Sequence, residues 1–63
     1  MTNLEKLKLN HVLILTKGSQ RYYGVPCNSN LYSIKNITYG YNATHNILIT
    51  KPELIEFFHL DSL

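Results

Sequence analysis

RYYGVPCNSNLYSIKNITYGY, residues 21–41, holds all five tyrosines of a 63-residue chain that has no tryptophan. Two β-rich runs flank Pro26 and the turn-forming cluster Asn28-Ser29-Asn30, the signature of a hairpin. A hairpin centred on Asn28-Ser29 pairs Tyr23 with Ile34, Val25 with Tyr32, Tyr22 with Lys35 and Gly24 with Ser33. Side chains alternate across a strand. One face then carries Tyr23, Val25, Tyr32 and Ile34, which reads as core made of aromatic and β-branched cross-strand pairs. The other carries Tyr22, Gly24, Ser33, Lys35, Ile37 and Tyr39: rings and a cation over small residues. A slip of one residue would exchange the two memberships.

Working outward, Lys17-Gly18-Ser19-Gln20 reads as the preceding turn, and Leu9–Thr16 as the first strand. Its VLIL centre is apolar on both faces, which predicts a central strand covered from both sides. The second strand is Gln20–Val25, stopped by Pro26, whose missing ladder donor places that end at an edge or out of the sheet. The third runs Leu31–Tyr39, and Gly40–Ala43 turns into a fourth, Thr44–Ile49. Turn signals at this spacing predict an antiparallel meander.

Both ends carry helix signals. Thr2-Asn3-Leu4-Glu5 and Thr50-Lys51-Pro52-Glu53 each match the S/T-x-x-E capping box. The first predicts a short turn of helix ended by Asn10. The second opens a helix over Pro52–Leu60, with Pro52 in the first turn where its absent N–H costs nothing. Leu54, Phe57 and Phe58 share one side of it, aimed at the sheet or at a partner. The fold class expected is therefore mainly β (α+β): a small four-stranded antiparallel meander or partial barrel with one C-terminal helix. The whole of 1–63 is read as a single small domain, with the sheet over about 9–50 and the helix over about 52–60.

Composition bounds the function. Apolar residues make up 44% and charged residues 16% of the chain, enough for a core and too little charge for disorder. A domain of this size buries only about 60% of its unfolded surface and is marginal alone. One cysteine, Cys27, excludes an intrachain disulfide. Three histidines, His11, His45 and His59, lack ligand spacing, so no metal and no cofactor are expected. Association is the remaining staple, which predicts a homodimer or a domain docked on a partner. No apolar run approaches the ~20 residues of a membrane span. The N-terminus lacks the pattern of a signal peptide, and the lone thiol suits a reducing, cytoplasmic setting. The glycosylation patterns at Asn36 and Asn42 are read as chance.

Charge is uneven. Residues 1–51 hold five Lys and one Arg against one Glu, net +5, and residues 52–63 hold three acids and no base, net −3, giving the overall +2. The body suits an anionic partner only by weak steering. RYYGV is similar, over five residues, to the basic-aromatic-Gly pattern of an RNA-recognition strand. LITKPELIEFFHLDSL, 48–63, resembles the opening of excisionase-like and helix-turn-helix repressor domains, whose first capped helix leads into a recognition helix. No segment after Leu63 supplies that helix, so a major-groove reader is not expected.

Catalytic groups are sparse. No base flanks Cys27, His11 and His45 read as unrelated rim residues, and the acids form no pair across a cleft. The function expected is non-enzymatic binding to protein: an accessory or inhibitor module that occupies a surface of a larger protein, as phage-encoded modulators of host machinery do. The residues assigned to partner binding are Arg21, Tyr22, Lys35, Tyr39 and Tyr41. The second expectation is a small RNA- or single-stranded-DNA-binding protein that stacks bases on Tyr22 and Tyr39 beside Lys35.

Overall fold

In the computed structural model, which describes residues 1–40 and 46–61, Thr2 caps helix α1 (Asn3–Lys8). There follow β1 (Leu13–Lys17), β2 (Gln20–Pro26), β3 (Leu31–Asn36), β4 (Ile47–Thr50) and helix α2 (Lys51–Phe58). The four strands form one antiparallel sheet in the order β1-β2-β3-β4. It is an open meander with β1 and β4 as its edges, and both helices pack on one side.

Both capping boxes are formed. Thr50 donates its N–H (3.1 Å) and its hydroxyl (2.7 Å) to Glu53 Oε1, while its Oγ1 accepts from the Glu53 N–H at 3.4 Å. Thr2 and Glu5 repeat the arrangement. Each helix ends on a residue in the left-handed region, Asn10 (φ 58°) and His59 (φ 54°). His11 N–H then reaches Lys6 C=O at 2.8 Å and Leu60 N–H reaches Ile55 C=O at 3.0 Å, which satisfies carbonyls that a helix end leaves over.

The β1–β2 turn is two residues long. Only the first of them, Gly18 at φ 61°, has a positive φ, the sign pattern of a type II′ hairpin turn. The β2–β3 turn corrects the register expected from sequence. Cys27 N–H donates to Leu31 C=O at 2.8 Å, and Asn28 Oδ1 accepts from Asn30 N–H at 2.8 Å. The ladder thus runs past Pro26 and leaves three residues in the turn, Asn28-Ser29-Asn30, rather than two. Every pairing moves by one: Tyr22↔Asn36, Tyr23↔Lys35, Gly24↔Ile34, Val25↔Ser33. A one-residue slip exchanges faces, so Tyr22 and Gly24 turn inward with Tyr32 and Ile34, and Tyr23 and Val25 turn outward with Ser33 and Lys35.

Gly24 accommodates that inner face. A Cβ on it would stand 2.8 Å from Ile34 Cδ1 and 3.5 Å from the Tyr32 ring. The buried cluster is Leu7, Leu13, Leu15, Tyr32, Ile34 and Leu54, with Leu4, Tyr22, Ile49, Ile55 and Phe58 packed against it. Tyr32 is wholly buried and donates its hydroxyl to His11 C=O at 2.6 Å. It is core, as its sequence suggests, while Tyr23 is not.

Two further expectations change. The VLIL stretch is not covered on both sides: β1 is an edge strand, Leu13 and Leu15 are buried, and Val12 and Ile14 are each 47% exposed. An all-apolar run cannot by itself distinguish a strand covered twice from one whose second face is left bare. The third strand stops at Asn36, where a polar clasp takes over. Asn36 Nδ2 donates to Gln20 Oε1 (2.9 Å), Asn36 Oδ1 accepts from Thr38 N–H (2.9 Å), and Thr38 Oγ1 accepts from Arg21 N–H (2.8 Å). The expected start of the fourth strand, Thr44 and His45, lies outside the described residues.

Candidate binding face

Strand alternation and the corrected register place Ile14, Tyr23, Val25 and Leu48 on the side of the sheet away from both helices. Ile14 is 47%, Val25 38% and Leu48 64% exposed, and Tyr23 is half-buried by its neighbours. Ile14 and Lys35 stand on either side of Tyr23 in adjoining strands. A depression of about 310 Å3 lies over Tyr23, Val25, Ser33, Lys35 and Asn46. Large apolar groups side by side on an uncovered face mark an interaction surface more than scattered ones do.

The charge on this face has one sign. Arg21 and Lys35 point outward, and no acid occupies an outward strand position. Glu5 sits on α1, Glu53 and Glu56 on α2, and Asp61 beyond it. Backbone and hydroxyl hydrogen bonds from Thr2 hold the Glu5 carboxyl below its ordinary 4.5. The Thr50 hydroxyl and N–H do the same for Glu53. These two acids serve their helix starts.

The residues assigned to binding from sequence are divided by the fold. Arg21 and Lys35 share the open face. Tyr22 faces the other way, beneath the C-terminal helix, edge-on to Phe58 with ring centroids 5.1 Å apart. Tyr39 is 83% exposed in the turn after β3, away from the strands. Tyr41 lies outside the described residues. Tyr23, at the centre of the face, was assigned to core from sequence. The signal that identifies it is Gly24: a glycine between two bulky neighbours makes room on the packed side, so the residues flanking it point outward.

A second apolar feature lies on the helix side. Tyr22, Ile34, Ile47, Ile49, Phe57 and Phe58 line a groove of about 260 Å3 beside β4. Phe57 in turn meets Lys17, which donates to Phe57 C=O at 3.1 Å and holds its Nζ 4.6 Å from the Phe57 ring centre. Among the described residues no three metal-binding side chains converge, and no helix is long and apolar enough to cross a membrane. No family model, curated protein or solved structure matches the chain.

Proposed function

We propose that this chain is a non-enzymatic protein-binding module, an accessory or inhibitor protein that seats its open sheet face on a surface of a larger protein. The observation that carries this reading is the one-sided packing: both helices cover the same face, and Ile14, Tyr23, Val25 and Leu48 are left bare on the other. An apolar centre with a rim of cations suits a protein surface with apolar anchors and acidic surroundings. A reducing, cytoplasmic setting suits the exposed, unpaired Cys27. A phage-type role in host machinery is compatible with a chain of this size.

One observation favours a second reading. Tyr23 is flanked on its face by Arg21 and Lys35, the parts of a platform for single-stranded nucleic acid. The inward turn of Tyr22 weighs against it, because the face keeps one ring among aliphatic side chains.

Capture from cell lysate by the wild-type chain and by Val25→Glu tests the first reading, with labelled single-stranded DNA and RNA titrated in parallel at low and near-physiological salt. The expected result is a partner retained at near-physiological salt and lost with Val25→Glu. Nucleic-acid binding that falls steeply with salt, with a slope reduced by Lys35→Ala, would replace this reading with the second. A partner held equally by Val25→Glu would overturn the open face as the site.

A further inference from the structure

The two edges of the sheet are finished differently. Successive residues of an antiparallel strand aim N–H and C=O to alternate sides. On β1 the outward-aimed carbonyl of Ile14 accepts from Asn3 Nδ2 of α1 at 3.3 Å, and the strand ends in Lys17. Natural sheets blunt an edge in such ways. On β4, Lys51 N–H donates back to Asn30 C=O at 2.9 Å. Ile47 and Ile49 therefore face β3, and Leu48 and Thr50 face the free edge. Thr50 N–H is taken by Glu53 Oε1 at 3.1 Å. Leu48 keeps both its N–H and its C=O aimed outward, with no partner among the described residues.

The side chains repeat the pattern. Ile47 is 67% and Leu48 64% exposed, one on each side of the sheet. The strand is ILIT, without charge or proline, so none of its side chains discourages pairing.

We propose that two copies of this chain pair antiparallel through β4, about a two-fold axis at Leu48, joining their sheets edge to edge. Leu48 N–H and C=O would each bond to Leu48 of the second copy. Thr50, the N-cap of α2, has its N–H taken by Glu53 and its carbonyl given to the first turn of the helix, so the paired backbone centres on Leu48. Ile47 then comes opposite Ile49 of the second copy beside the apolar groove, and the two Leu48 side chains meet on the open face. No charges oppose one another, because the strand has none. The contact is isologous and closes as a dimer, while the guarded β1 edge keeps it from growing further. A chain of this size without a disulfide gains a core extension in this way. The inference is independent of what the open face binds.

The test uses chemically synthesised chain with N-methylated Leu48, which removes the donor at the two-fold axis and leaves the β3 ladder untouched. Light scattering from micromolar concentrations up to about 1 mM reads the molar mass. The expected result is a wild-type mass rising from 7.3 kDa toward twice that value. N-methyl-Leu48 should keep the same circular dichroism and dimerise more than about tenfold more weakly. N-methyl-Ile14, altered on the other edge, should dimerise like wild type. Wild type that stays monomeric throughout overturns the proposal, as does N-methyl-Leu48 that dimerises normally. Should the methylated chain lose its circular dichroism, Leu48→Lys, placed at an exposed side chain, supplies the same readout by opposing two charges at the axis.

Discussion

At the residue scale, Gly24 and Tyr32 fix the packed face together. The Tyr32 ring and Ile34 Cδ1 occupy the space that a side chain at position 24 would take. Gly24→Val is expected to cost about 1–3 kcal/mol through overpacking, read as a lower urea midpoint. Tyr32→Phe keeps the packing and loses the bond to His11 C=O, at a cost of about 1 kcal/mol at neutral pH. Burial pushes the Tyr32 phenol above its ordinary 10.0. The folded state therefore holds it neutral while the unfolded chain ionises first, and stability falls as pH rises past that ordinary value. Urea unfolding on both sides of it should show the Phe variant losing less than wild type.

At the element scale, the helices are held by their ends. Each has a capping box whose carboxylate is held below its ordinary 4.5. Such a group stabilises the fold above its unfolded value, and the contribution is lost as pH falls through the lowered folded value. Glu5→Gln with Glu53→Gln keeps the reach-back acceptor and removes the charge. The double variant should unfold over a shallower acid transition, followed by circular dichroism. At the far end of α2, His59 occupies the left-handed region at φ 54°, a conformation costly to any residue with a Cβ. His59→Gly should therefore stabilise the chain by up to about 1 kcal/mol, its gain reduced by the extra freedom of glycine in the unfolded state. A rise in melting temperature checks this.

At the scale of the whole molecule, the layer arrangement separates residues that matter for stability from those left for binding. Leu54 is fully buried where α2 meets the sheet, and Leu54→Ala should cost about 2–5 kcal/mol. Ile14 has the same apolar character on the opposite face, and Ile14→Thr should change stability by no more than about 0.5 kcal/mol. Equilibrium unfolding of the two variants side by side measures the asymmetry. A comparable loss from Ile14→Thr in a dilute monomer would contradict one-sided packing.

The chain's own residues determined the elements. Thr-x-x-Glu starts both helices, Gly18 makes a tight turn, and Asn10 ends a helix. Each is a local choice of dihedral angle or hydrogen bond, complete within a few residues, and the antiparallel meander follows from their spacing. The face that each tyrosine occupies required the tertiary structure. Whether Asn28-Ser29-Asn30 makes a turn of two or three residues is locally close to neutral, and it was decided by which register lets Tyr32 and Ile34 pack over Gly24. That single step moved Tyr22 under α2, brought Tyr23 out between Arg21 and Lys35, and so set the composition of the candidate face. Which side of β1 is covered was likewise a tertiary decision: Leu and Ile alternate there, both apolar, and only the docking of Leu7 and Leu54 distinguishes the core side from the bare one.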